Sequence, residues 1–153
     1  MQKTYFTLIT ALLCITAGWS QNSTPATEYK VITVVESIVP GGAGRSRIIE
    51  NGTELDVAQF TTERTDGKKS KQKNVSRSEA KVDKFSESKL LNFYSLVGIN
   101  FQNIASNDAL IASKINTLST EGWSLLFVTS GVESNAGSDD GAGIFITRMI
   151  FKK

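Results

Sequence analysis

The residues with the most scope for chemistry lie near the end of the chain. Glu133 precedes the run Asn135-Ala-Gly-Ser-Asp-Asp-Gly-Ala-Gly143, which holds the adjacent carboxylates Asp139 and Asp140. A carboxylate pair in a glycine loop could work as acid and base, or hold Ca²⁺ through oxygen ligands. The spacing does not match the calcium-binding pattern D-x-[DN]-x-[DN]-G. Asp, Asn, Ser and Gly are also the residues that turn geometry favours. The simpler reading is a solvated turn, with Glu133, Asp139 and Asp140 as metal candidates only. No cofactor is expected.

A second candidate is Gly41-Gly-Ala-Gly-Arg-Ser-Arg47. Its glycines would let backbone N–H groups approach an anion, and Arg45 and Arg47 would offer forked donors. It lacks the G-x-x-x-x-G-K-[ST] spacing, and nothing after it reads as a phosphate-binding helix. A surface connection carrying two arginines is the plainer reading. Residues 63–89 hold nine basic and five acidic residues, and the basic ones from Lys68 to Lys89 would extend Arg45 and Arg47 into a polyanion-binding surface. The interspersed acids favour a solvated spacer instead. Trp123 reads as core, and the asparagines between Asn92 and Asn107 as satisfying an irregular backbone rather than lining a sugar site.

The residue inventory narrows the chemistry further. The chain of 153 residues has no histidine and one cysteine, Cys14. General acid–base catalysis needs a group that can titrate near neutrality, and only carboxylates, lysines and tyrosines remain. A non-catalytic protein is therefore expected.

Residues 1–20 read as a secretory signal peptide: Lys3, an apolar stretch from Tyr5 to Ala17, then Gly18-Trp19-Ser20 before Gln21. The apolar stretch is short of the ~20 residues that a spanning helix needs. Cleavage would remove both Cys14 and Lys3. The net charge would fall from +2 to +1 against 15 acidic residues throughout. That near-neutral balance argues against a nucleic-acid binder. The expected product is exported, periplasmic or extracellular, with no membrane span after cleavage and no disulfide.

Residues 21–27 read as a flexible lead-in, and residues 28–153 as one domain with the charged insertion at 63–89. Glu28 to Val39 reads as a first strand, apolar on both faces. Arg45 to Glu50 could be a short strand paired back on it, ended by the turn signal Asn51-Gly52. Phe60 to Thr62 could extend a strand. The strongest signal is Ser106 to Ser134. Ser106, Asn107 and Asp108 offer N-caps, and Ile111, Ile115 and Leu118 form a stripe at helical period. Gly122 stands where a helix ends in a positive-φ residue. Ser124 to Ser130 then reads as a strand, and the last strand, Ile144 to Lys153, pairs most simply as a hairpin with Leu125 to Val132.

The resulting fold class is α+β: an antiparallel sheet of three or four strands in the order β-[insertion]-α-β-β, with one main amphipathic helix on one face. One helix covers one face. The apolar segment Leu90 to Ile104 is expected to cover the other. Failing that, the second face would bury itself in a homodimer.

Glu28-Tyr-Lys-Val-Ile32, the Glu121-Gly122-Trp123 junction within Leu118 to Leu125, and the closing Ile150-Phe151-Lys152 resemble the small bacterial domain of unknown function 4177. The middle, Pro40 to Phe101, has no counterpart in it. The export signal with its Ser-Gln junction resembles those of Bacteroidetes-type secreted proteins. The resemblance implies a compact β-α-β-β domain with no established activity, and it supplies no catalytic residues. The functional expectation is an exported domain that binds an unknown protein or small ligand, or serves as an envelope component.

Overall fold

A computed structural model of the chain describes residues 26–37, 46–65, 67–133 and 143–153. Its centre is a five-stranded antiparallel sheet. In chain order the elements are β1 (Tyr29–Ser37), β2 (Arg47–Asn51), β3 (Phe85–Lys89), β4 (Tyr94–Ser95), β5 (Gly98–Ile99), α1 (Phe101–Thr120), β6 (Ser124–Glu133) and β7 (Ile144–Lys152). The sheet order is β3-β2-β1-β7-β6, and β4 and β5 form a separate small hairpin. The fold is α+β as expected, with one strand more than the upper count. The extra strand is β3, the last five residues of the charged insertion.

β1 lies at the centre because its apolar residues alternate onto both faces. It pairs with β2 in the register Ile32↔Glu50 and Val34↔Ile48. It pairs with β7 over its whole length, from Tyr29↔Lys152 to Ser37↔Ile144. β7 also pairs with β6, from Ser124↔Lys152 to Glu133↔Ile144, with a bulge at Leu126. The hairpin read from the sequence is therefore the one observed. β3 completes the other edge through Asn51↔Phe85 and Arg47↔Lys89.

The helix stop is a Schellman motif. Gly122 takes φ +91°. Its N–H donates to Ser119 O at 3.0 Å, and the Trp123 N–H reaches Leu118 O at 2.9 Å. These two bonds satisfy carbonyls that the end of α1 would otherwise leave open. Trp123 is thereby set against the core beside Leu118.

The start of α1 differs from expectation. The N-cap is Asn100, whose side chain accepts from the Asn103 N–H at 3.1 Å. Ser106, Asn107 and Asp108 lie inside the helix. Asn107 is fully buried there. Its Oδ1 accepts from the Leu91 N–H at 2.8 Å, and its Nδ2 donates to Leu91 O at 2.7 Å and to Glu36 Oε1 at 3.0 Å. A side chain that can cap a helix has here been used to fasten a neighbouring irregular strand of chain.

That fastening decides which face Leu90 to Ile104 covers. Ile32, Val34, Ile48, Met149 and Phe151 form the core with Leu118 of α1, and Leu90 is buried among them. Phe93 meets Phe145 with ring centroids 5.8 Å apart. Phe145 is in register with Glu36, so it shares the face that α1 covers. The segment therefore packs on the same side as the helix, not on the opposite face. Phe60 to Thr62 also differs from expectation, since Phe60 closes a 3₁₀ turn, Val57–Phe60, capped by Asp56.

Candidate interaction surface

The register fixes which side chains stand on the face away from α1. Cross-strand partners share a face, so three rows can be read across all five strands. One row is Phe85, Asn51, Val31, Ile150 and Phe127. The next is Glu87, Ile49, Thr33, Arg148 and Thr129, and the third is Lys89, Arg47, Val35, Ile146 and Gly131. None of their side chains is buried or belongs to the core cluster among the described residues. In the first row Phe85 is 50 %, Val31 46 % and Phe127 58 % exposed, and Tyr29 beyond it is 64 % exposed. Large apolar residues scattered singly on a surface mean little, but a contiguous patch of this breadth marks an interaction site.

The charges on this face are Glu87, Arg47, Lys89, Arg148 and, beside Tyr29, Lys152. Arg47 Nη1 pairs with Glu87 Oε1 at 2.6 Å. Arg148 stands near the middle, exposed, with no hydrogen bond or ion pair among the described residues. The two sheet edges also differ. β3 is short and carries Glu87 and Lys89, which discourage further pairing. β6 is ten residues long and, before its terminal Glu133, uncharged.

The helix side carries the polar groups with perturbed titration. Glu50 receives Lys30 Nζ on Oε1 at 2.8 Å and Lys114 Nζ on Oε2 at 2.5 Å. Burial pushes the Glu50 carboxyl up, but the hydrogen bonds and charges of Lys114 and Lys30 outweigh it and leave it below the usual range. Lys30 Nζ also lies 4.9 Å from the Trp123 ring centroid, and Lys153 Nζ 5.8 Å from it. Glu36 goes the other way. Burial and the charge of Asp108 raise its pKa more than the Asn107 hydrogen bond lowers it. Neither carboxyl opens onto a cleft. They tie α1 to β1 and β2.

The residues singled out in the sequence are described only in part. Arg47 is on β2, held by Glu87. Arg45, Asp139 and Asp140 lie outside the described residues, and of Glu133 only the backbone is described, at the end of β6. Among the described residues no three His, Cys, Asp or Glu side chains approach one another as metal ligands would. Lys69, Lys71 and Lys73 border an open hollow of about 510 Å³ in the charged insertion, together with Glu63. The asparagines serve packing: Asn92 Oδ1 accepts from Ser46 Oγ, and Asn103 Nδ2 donates to Asn92 O. Among the described residues no helix is long and apolar enough to cross a membrane.

The open face was half visible in the sequence. The two-sided apolar pattern of β1 and β7 was its signal, but that pattern reads equally as a strand buried on both sides. The Lys30–Glu50–Lys114 cluster had no signal, because its members are far apart in the chain. No family model, curated protein or solved structure matches the chain.

Proposed function

We propose that this chain is an exported, non-catalytic domain that binds a protein partner through the sheet face opposite α1, as an envelope or secreted component. The observation that carries the reading is the row Phe85–Asn51–Val31–Ile150–Phe127, apolar at four of its five positions and without a buried member among the described residues. The signal-like first 20 residues support export. Burying such a band is favourable by roughly 25 cal/mol for each Å² of apolar surface removed from water.

The test is crosslinking in the producing cell. The complete reading frame is expressed with a photo-reactive amino acid at Val31, or at Ser113 on the exposed side of α1 as the control. The expected product is recovered outside the cytoplasm, begins at Gln21, and gives a discrete adduct from position 31 alone. Retention in the cytoplasm with residues 1–20 intact overturns export. The absence of any adduct at position 31 overturns the binding face.

A further inference from the structure

The occupant of the open face can be identified from its size and its charges. We infer that it is the same face of a second copy of this chain, packed sheet to sheet about a twofold axis that runs along β1. This rests on the binding face proposed above and names its partner.

The area is right for self-association. Three strands of nine or ten residues, about 30 Å long, and two of five residues, about 17 Å long, at about 4.8 Å spacing make a face on the order of 600 Å². A stable interface takes about 800 Å² from each partner. Two antiparallel sheets also pack readily through their apolar faces, with strand directions within about 30° and the sheets about 10 Å apart.

The charges select the axis. A twofold axis across the strands would set Arg148 against its own copy, two cations with no acceptor. An axis along β1 reverses the strand order instead. β3 of one copy then lies over β6 of the other, and β2 lies over β7. The row Glu87–Ile49–Thr33–Arg148–Thr129 runs backwards over itself, and each Glu87 stands one strand from the second copy's Arg148. Arginine and glutamate side chains together span that separation. The contact occurs twice, as an isologous interface requires. It provides an acceptor for Arg148, which has none among the described residues. In the same arrangement Ile49 faces Arg148's aliphatic stem, and Val31 lies over its own copy at the axis.

The experiment is light scattering and sedimentation on the protein purified from its complete reading frame. The wild type should be a dimer at micromolar concentration. Val31→Lys should be a monomer with an unchanged circular dichroism spectrum. Arg148→Glu and Glu87→Lys, both on exposed positions, should each weaken the dimer roughly tenfold or more, because each creates two like-charge contacts. Mixing those two variants should restore a tight heterodimer, since every Glu then meets a cation across the axis. Recovery on mixing cannot come from a variant that merely fails to fold.

A wild-type monomer overturns the inference. If position 31 still crosslinks to a different protein, the open face keeps its binding role and only the identity of the partner falls. A dimer that survives Val31→Lys but breaks with Val128→Lys, on the helix side of β6, also overturns it.

Discussion

At the scale of the residue, two carboxylates in similar positions on the helix side titrate in opposite directions. Glu50 accepts from two ammonium groups, so its folded pKa is depressed. Its contribution to stability is present above the unfolded value, near 4.5, and is lost as pH falls through the folded value. Glu36 has only an amide donor to offset its burial and a like charge nearby, so its folded pKa is raised. Its contribution is largest below the unfolded value and is lost as pH rises through the folded one. Glu36→Gln keeps an oxygen for the Asn107 Nδ2 and removes the charge. It should raise the urea midpoint at pH 7 and leave it unchanged near pH 3. Glu50→Gln should lower the midpoint at pH 7, with the loss shrinking at pH 3. Parallel shifts of the two variants at both pH values would contradict the assignment.

At the scale of the element, the junction of α1 and β6 was the most legible part of the chain, for a physical reason. The helical stripe Ile111, Ile115, Leu118 stops, a glycine follows, and the apolar period then changes. Each of these signals is local. Gly122→Ala tests the junction. The new Cβ would meet only the flexible Lys153 side chain, with Cε at 3.4 Å, so space is not the obstacle. The obstacle is φ +91°, and a left-handed L-residue costs about 1–2 kcal/mol. The variant should lose about that much in urea unfolding, and Gly122→Asn should lose less. An unchanged or stabilised Gly122→Ala would show that the Schellman geometry does not hold in solution.

The other elements show where local signals end. β3 was unreadable because Phe85-Ser-Glu-Ser-Lys89 buries no side chain, and joins the sheet through its backbone and the Arg47–Glu87 ion pair. The start of α1 was ambiguous because Asn100, Asn103, Ser106, Asn107 and Asp108 can all cap. Only tertiary contact shows that Asn107 is instead bound to Leu91 and Glu36. Leu90 to Ile104, expected to cover the second face, instead packs Leu90 and Phe93 on the helix side and leaves Leu96, Val97, Ile99 and Phe101 exposed. Periodicity says that a segment will be buried, but not on which side of a sheet it returns. That single reversal concealed the open face, and with it the surface on which the functional proposal rests.

At the scale of the whole molecule, the charged insertion is separable from the scaffold. Asn51 and Phe85 are cross-strand partners, so β2 and β3 meet directly where the insertion leaves the sheet. Between them, the two 3₁₀ turns bury no residue, and the base is closed by the Thr53 Oγ1 hydrogen bond to Lys84 O at 3.3 Å. No residue from 53 to 84 belongs to the core cluster. Replacing residues 52–84 with a two-residue Asn-Gly turn between Asn51 and Phe85 should therefore give a folded domain. Shortening the connection removes about four doublings of loop length, worth about 0.6 kcal/mol each in closure entropy. The excised protein should melt no lower than the parent, with the same helix and strand content by circular dichroism. It should also keep the assembly state of the parent, because β3 with Phe85 and Glu87 remains in place. A collapse of cooperativity on excision would mean that the insertion holds the β2–β3 edge together. Retention of fold and assembly would leave the insertion, with its lysine-lined hollow, free to differ without cost to the scaffold.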